Sequence, residues 1–251
     1  ADGPVLVLIH GWSGSHRSFD LNYEGLAAGG IRVILVDLRF HGDSDKPPQG
    51  LHVHRLAADV QQLLDVAAPG KQVVLLGTSM GCAVIWAFCE LFGTQLLKGA
   101  CFVDQAPLQN RVPGWEIGSK GCYDQETLNN LGEDLRKDLG AFADGNVAFC
   151  TNKPLPEAYT DVLRAETLKC SAEQLWSLMR DHTQHDWRPT LPTIGVPCLN
   201  LYGSDSKVFP QEGCAYVTEK VPDCVGKVYA GCNHWLYMES PEEFVGDVAA
   251  F

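Results

Sequence analysis

The chain has 251 residues and a formal net charge of −12, from 31 acidic and 19 basic residues. This balance argues against binding to nucleic acid or anionic membrane surfaces, because phosphate groups are bound by clustered Lys and Arg. No apolar run approaches the ~18 residues of a membrane span, and no signal peptide is visible at the start. The length suits one domain, or one domain with a large insertion.

Six short apolar runs predict strands, and the first of them ends at His10. The runs are continuous rather than alternating, as expected for a parallel sheet that is covered on both faces. In chain order they are PVLVLIHG, IRVILVDLR, KQVVLLGTS, KGACFVDQAP, VPCLNLYGSD and GKVYAGCNH. With helices between them, they predict an α/β fold with a doubly wound, mostly parallel sheet.

Helices are predicted over residues 54–66 and 82–92, and the second has a nearly uniform apolar surface that indicates burial. A closing helix is expected after Ser240, with Pro241 at its first position and Glu243 completing a capping box.

Residues 108–186 show no strand pattern, and we expect them to form a helical cap inserted into a core of residues 1–107 and 187–251. A cap at the carboxyl edge of the sheet is favoured over additional helices packed on the sheet, because loops at that edge bear ligands. Asp124 is expected to cap a first helix and Ser171 to open a capping box before a later one. Helical spacing is shown by Leu128, Leu131, Leu135 and Leu139, and again by Tyr159, Val162 and Leu163.

The stretch Gly77-Thr78-Ser79-Met80-Gly81 follows a predicted strand and opens a predicted helix, which is the setting of a nucleophile elbow. The two glycines are expected because the tight turn leaves no room for a Cβ at Gly77 or Gly81. Ser79 is then a candidate nucleophile at a helix N-terminus. The alternative is an ordinary strand-to-helix turn with a capping serine.

A serine nucleophile needs a base, and His234 is the candidate because it follows the last apolar strand. Asp205 is the predicted acid partner of this histidine, because it follows the penultimate strand and fits the chain order Ser, Asp, His. Asp104, at the end of the fourth strand, is the rival acid. Oxyanion donors are expected at the backbone N–H groups of Met80 and Trp12.

These residues resemble the α/β-hydrolase superfamily, in particular its cofactor-free esterase and haloperoxidase-like branch. The resemblance rests on LIHGW, VDLRFHGDSDKP, GTSMG, GSD, NHW and HDWRPTLPTIGVP. It implies Ser79, Asp205 and His234 as the catalytic triad, with Trp12 and Met80 as oxyanion donors, and it counts against epoxide hydrolases and haloalkane dehalogenases.

Two features depart from the family pattern. Phe40 stands where the second-strand loop usually has glycine, so a different backbone is expected there. The chain starts at the strand before His10, without the amino-terminal strands usual in the family, so either the numbering starts after trimming or the sheet is reduced to about six strands.

Other residues suggest the shape of the substrate site and the surroundings of the protein. His10 and Gly11 are expected to shape the oxyanion turn, and Trp235, Trp115 and Trp187 are candidates for an apolar pocket. The pairs His52/His54 and His182/His185 have no supporting ligands at a metal-binding spacing, so neither a metal nor a cofactor is expected. The ten cysteines, several of them in apolar runs, favour mostly reduced thiols and a cytoplasmic protein, with one disulfide among Cys214, Cys224 and Cys232 as the alternative.

The sequence thus predicts a serine hydrolase, a monomer or weak homo-oligomer, acting on a small to medium carboxylic ester, thioester or lactone. Perhydrolysis or C–C bond hydrolysis with the same triad remains open. A hydrolase-fold receptor for a small molecule, with little turnover, is also compatible with the pattern.

Overall fold

The computed structural model describes residues 3–251, and a single sheet of six strands forms its centre. Every predicted apolar run contributes one strand. The strands are β1 Val5–Ile9, β2 Arg32–Val36, β3 Val73–Thr78, β4 Leu97–Val103, β5 Cys198–Gly203 and β6 Cys224–Tyr229. Their order is β2-β1-β3-β4-β5-β6 and every pairing is parallel. The predicted doubly wound α/β fold and the six-stranded sheet are confirmed.

Helices connect the strands and also fill the segment between β4 and β5. They are α1 Tyr23–Ala28, α2 Val53–Ala67, α3 Met80–Phe92, α4 Gln125–Lys137, α5 Leu139–Cys150, α6 Glu157–Leu168, α7 Ala172–His182, α8 Gln211–Lys220, α9 Leu236–Glu239 and α10 Pro241–Ala250. Among residues 3–251, no helix is both long enough and apolar enough to cross a membrane.

Both faces of the sheet are buried by helices, as the continuous apolar strands predict. In β1, Val5, Val7 and Ile9 belong to a core shared with α2 and α3. Leu6 and Leu8, which alternate with them, belong to the opposite core, where Phe244 of α10 also packs. The alternation places α2 and α3 on one face and α10 on the other.

Four helices, α4 to α7, lie between β4 and β5, in the segment where no strand was predicted. An antiparallel bridge between Leu108 and Asp186 joins the two ends of this segment. We refer to residues 108–186 as the inserted segment, and its division from the core as a cap remains our proposal.

The predicted helix starts after Asp124 and Ser171 are confirmed, but the start of α5 at Leu139 differs from the predicted continuous leucine repeat. Asp124 caps α4, where its Oδ1 accepts from the Thr127 N–H at 2.8 Å. Leu139 does not continue that helix, because Asp138 is extended, ends α4, and accepts from the Ala141 N–H to cap α5. Asp138 therefore splits the predicted leucine repeat between two helices.

The two predicted serine capping boxes are wrong. The Ser240 hydroxyl makes no capping bond, because it accepts instead from Lys153 Nζ at 3.0 Å. Ser171 precedes α7 as expected, but its exposed hydroxyl makes no capping bond either.

Phe40, which stands in place of a glycine, has a φ of 75°. This left-handed conformation favours glycine, because a Cβ is crowded there. The Phe40 side chain is only 1% exposed and belongs to the core shared with α2 and α3. Burial of the ring offsets the backbone strain at this position.

All ten cysteines are free thiols, and only Cys224 among them is not buried. Burial raises the pKa of Cys89 and Cys122 to about 12 and keeps these thiols protonated. The nine buried cysteines therefore act as small apolar side chains.

Candidate active site

Ser79 occupies a strained turn between β3 and α3. Its φ of 52° and ψ of −124° lie outside the regions that side-chain-bearing residues normally adopt. The turn is tied on both sides, because the Ser79 N–H donates to Val103 O at 2.8 Å and Ser79 O accepts from the Cys82 N–H at 2.8 Å. Such strain persists only where the surroundings fix it, and here it presents the serine at the start of a buried helix.

The two glycines of the turn are required by close backbone contacts. A Cβ on Gly77 would lie 2.4 Å from the carbonyl carbon and oxygen of Gly81. A Cβ on Gly81 would lie 2.4 Å from the carbonyl oxygen of Ile9 at the end of β1. The predicted crowding at both glycines is confirmed, and it packs the start of α3 directly against two strand ends.

His234 lies in the loop after β6 and lines the same cavity as Ser79. The His234 side chain is 6% exposed, and its Nδ1 lies 2.6 Å from Oδ2 of Asp104, which is fully buried. An ionised carboxylate only accepts hydrogen bonds, so this contact favours the imidazole tautomer that carries its proton on Nδ1. Nε2 is then left with a free lone pair, the state that a general base requires.

Asp104 follows β4 directly and is the acid that the structure brings to His234. Its Oδ1 accepts from the Gly203 N–H at 3.0 Å, and its Oδ2 accepts from Ser206 Oγ at 2.7 Å. With His234 and the weaker thiol of Cys214, whose Sγ lies 4.0 Å from Oδ1, four donors surround the carboxylate. These hydrogen bonds offset the free energy lost when the carboxylate is removed from water.

The prediction that Asp205 partners His234 is wrong. Asp205 is exposed, and its Oδ1 accepts from Ser204 Oγ at 3.1 Å. Its neighbour Ser206 is the residue of this loop that turns inward and donates to Asp104. The loop after β5 therefore supplies a hydroxyl rather than a carboxylate to the site, and the rival acid of the sequence analysis takes the position.

Two further residues hold the histidine loop and were not singled out from the sequence. Asn233 Oδ1 accepts from the N–H groups of His234 at 2.7 Å and Lys207 at 2.8 Å. Glu239 accepts from the N–H groups of Asn233 at 2.5 Å and Lys153 at 2.7 Å. The sequence signal was their closeness to His234 along the chain, since neither an asparagine in a loop nor a glutamate at a helix end indicates such a role by itself.

The predicted oxyanion residues Trp12 and Met80 both line the cavity beside Ser79, as does Gly11. Met80 is the first residue of α3, so its N–H belongs to the unpaired first turn of that helix. The Trp12 indole is anchored elsewhere, because its Nε1 donates to Leu175 O in the inserted segment at 2.9 Å.

His10 and His41 fix the loop that carries Trp12. His10 Nε2 accepts from the Leu38 N–H at 3.0 Å, and His41 Nε2 accepts from the Ser13 N–H at 3.2 Å. A backbone N–H can only donate, so Nε2 must be unprotonated in both rings. Burial lowers the pKa of His10 to about 4 and that of His41 to about 3. His10, which was predicted to shape this turn, packs against His41, and the centroids of the two neutral rings lie 5.0 Å apart.

The cavity above Ser79 has a volume of about 440 Å³ and a mostly apolar wall. Its large apolar side chains are Trp12, Leu131, Phe142, Phe149, Phe209 and Trp235. Trp235 is placed as predicted, but the prediction for the other two tryptophans is wrong. Trp115 is buried and donates to Leu108 O at 3.0 Å, and Trp187 packs beside Trp86 in the core.

Two of the four histidines considered as metal ligands contact a single carboxylate. His52 Nδ1 and His185 Nε2 lie 2.9 and 3.0 Å from the two carboxylate oxygens of Asp181. Within residues 3–251, no three His, Cys, Asp or Glu side chains are grouped as metal ligands.

The family model described as "Alpha/beta hydrolase family" matches residues 6–248 of the sequence. The chain belongs to the alpha/beta hydrolase family. Since the match covers nearly all of the chain, both the sheet and the inserted segment fall within the hydrolase family pattern.

Individual relatives are similar over more than nine tenths of their length. The AB hydrolase superfamily protein YisY of Bacillus subtilis is 26% identical, over 99% of this chain and 91% of that protein. A non-heme chloroperoxidase of Streptomyces lividans is 26% identical, over 100% of this chain and 92% of its own. An esterase structure from Exiguobacterium antarcticum superposes with a TM-score of 0.92 at 23% identity, covering 99% of this chain and 91% of that one. The hydrolase thus resembles the esterase and haloperoxidase-like branch.

Replacing Gly77 by Ala should destabilise the hydrolase by about 2 kcal/mol or more, because the new Cβ would overlap the backbone of Gly81. Urea unfolding measures the change. Gly246→Ala in α10 is the matched control, since a Cβ there meets nothing within 4 Å and should be neutral or slightly stabilising. Equal stability of the two variants would contradict the proposed crowding.

Acidification should weaken the fold through His10 and His41. The folded pKa values of about 4 and about 3 lie below the ordinary value of 6.5, so the unfolded chain binds protons first as the pH falls. Stability is therefore full above pH 6.5 and declines toward pH 4, by up to about 1.4 kcal/mol per pH unit for each histidine.

Urea unfolding at half-unit intervals between pH 7 and pH 4.5 measures this decline. His41→Gln should unfold with a shallower dependence on pH than the wild type, whatever its stability at pH 7. An identical slope in the two proteins would show that His41 is not held neutral by the fold.

Proposed function

We propose that this hydrolase is a serine esterase that cleaves a small to medium carboxylic ester, thioester or lactone through an acyl-enzyme on Ser79. The observation that carries the proposal is the convergence of a strained elbow serine and an Asp104-bound histidine on one cavity. A volume of about 440 Å³ suits a small-molecule substrate.

In the proposed reaction, Ser79 Oγ attacks the carbonyl carbon of the ester and passes its proton to His234 Nε2. The carbonyl oxygen becomes an oxyanion, which the N–H groups of Met80 and Trp12 stabilise. The ester bond then breaks, and the leaving alcohol takes the proton from His234. Water repeats the sequence on the acyl-enzyme and releases the acid.

Asp104 serves this cycle by stabilising the imidazolium that forms on His234. The carboxylate also fixes the imidazole tautomer, which leaves Nε2 unprotonated in the resting state. Ser206 and Gly203 hold Asp104 in place from the loop after β5. The inserted segment covers the cavity and acts as the cap that selects the substrate.

A second candidate is perhydrolysis, in which hydrogen peroxide replaces water in the second half of the cycle. The similarity to a protein named non-heme chloroperoxidase favours it. The two reactions share the acyl-enzyme, so competition between peroxide and water for one acyl donor distinguishes them.

Ser79→Ala should lower the hydrolysis of p-nitrophenyl butyrate at least about 1,000-fold, because the nucleophile is lost while binding is kept. It should also abolish labelling by a fluorophosphonate probe. Ser171→Ala is the matched control, since this exposed hydroxyl makes no capping bond, and it should keep full activity and labelling. Turnover by Ser79→Ala at the wild-type rate would refute the nucleophile.

Asp104→Asn should lower kcat at least about 100-fold, because an amide can present its N–H to Nδ1 and favour the wrong tautomer of His234. Asp205→Asn should change kcat by less than about twofold, since this carboxylate is exposed and its hydrogen-bond partner is Ser204 rather than His234. Circular dichroism checks that both variants fold. A large loss in Asp205→Asn with activity retained in Asp104→Asn would reverse the assignment.

A further inference from the structure

His182, at the end of α7, is a buried polar side chain that the proposed reaction does not use. It is 3% exposed, and it is one of the residues that line the cavity shared by Ser79 and His234. Its Nδ1 is shielded from solvent and makes no hydrogen bond within residues 3–251. Among the described residues with such unpartnered buried atoms, His182 is the one that also lines this cavity.

An unpartnered imidazole is costly in a folded protein, since buried polar groups are normally hydrogen-bonded. His10 and His41 follow that rule, because both of their ring nitrogens have backbone partners. His182 therefore differs from the other fully enclosed histidines by its position in a cavity wall and by its missing partner. A ligand in the cavity would supply one.

The charge state of His182 restricts what that ligand is. Burial, with a smaller contribution from the nearby His185, lowers the pKa of His182 to about 4, although Asp181 acts in the opposite direction. The ring is therefore neutral near pH 7 and offers one donor and one acceptor nitrogen. Such a ring recognises a hydroxyl, ether or carbonyl oxygen, but it cannot form an ion pair with a carboxylate.

Gln109 extends this polar region of the wall. It is 6% exposed, and its Nε2 donates to Met179 Sδ at 3.4 Å. A thioether is a weak acceptor, so the amide is available to a better one. Met179 precedes His182 by three residues on α7, a spacing that places the two side chains on the same face of the helix.

In the part of the chain that the structure describes, the rest of the cavity wall has no cationic side chain that could bind an anionic substrate. None of the cavity-lining residues in the described chain is Lys or Arg, and the ionisable carboxylate among them is Asp134, on an exposed position of α4. An anionic group would therefore enter without a partner and close to a like charge. An uncharged substrate with an apolar body fits the wall.

We propose that His182 and Gln109 form a polar subsite that binds an uncharged oxygen-containing group of the substrate, away from the ester being cleaved. This inference rests on the proposed esterase function and narrows its substrates to neutral esters or lactones bearing a hydroxyl, ether or keto oxygen. His182 is a specificity-determining residue and takes no part in bond making.

The test compares pairs of neutral esters that differ by one CH₂→O exchange. One series varies the acyl chain of p-nitrophenyl esters, and the other varies the alcohol of butyrate esters. The oxygen is placed at least three carbons from the carbonyl, and each rate is divided by that of alkaline hydrolysis to remove inductive effects. The wild type should favour the ether member of at least one pair by about tenfold in kcat/KM, the value of one hydrogen bond.

His182→Leu should abolish that preference, and His182→Gln should retain part of it because the amide still hydrogen-bonds. Leu131→Ala, an apolar change in the same wall, should alter kcat/KM equally for both members of a pair. A wild type that favours no ether ester in either series overturns the subsite, whether or not any variant folds. So does a preference that His182→Leu leaves intact.

Failure of the subsite and failure of the esterase proposal give different results. A wild type that turns over the hydrocarbon esters without preference removes the subsite but keeps the esterase. A wild type that cleaves neither series and resists fluorophosphonate labelling removes the proposed function itself.

Discussion

The contact between the turn after β3 and the end of β1 is the constraint on which the rest of the site depends. Gly81 lies against the carbonyl oxygen of Ile9 so closely that no side chain fits between them. That approach forces Ser79 into a left-handed backbone conformation and fixes the direction of α3. It also sets the first residues after β1, including Gly11 and Trp12, directly beside the serine. This packing contact therefore brings the nucleophile and the proposed oxyanion donors together, and hydrogen bonds then hold each of them in place.

The sheet and most of the helices follow from local patterns, and for this reason they are predictable from the sequence. Continuous apolar runs predict all six strands, and the glycine spacing identifies the elbow. The choice between Asp104 and Asp205 does not follow from such patterns. Both residues come after parallel strands that end at the same edge, and β4 and β5 are neighbours in the sheet.

What decides between the two acids is the conformation of two loops. In the loop after β4, Asp104 has a φ of 50°. In the loop after β5, Ser206 points inward and Asp205 is exposed. A shift of one residue along a loop changes which side chain points into the site, and composition carries no signal for it. The same limit applies to Trp115 and Trp187, because an aromatic residue that packs in the core and one that lines a cavity have the same local pattern.

The loop that carries Trp12 is held from two directions, and this links substrate selection to the chemistry. From the core, neutral His10 and His41 accept hydrogen bonds that fix its backbone. From the inserted segment, Thr167 Oγ1 donates to Ser13 O, and Leu175 O accepts from the Trp12 indole. The helix α7 that receives this indole also carries His182 at its other end. One rigid helix thus contacts both the proposed oxyanion loop and the proposed polar subsite. A substrate group bound to His182 would therefore contact α7, the helix that also holds the Trp12 indole. Binding far from the ester would in this way contribute to the geometry at the reacting carbonyl.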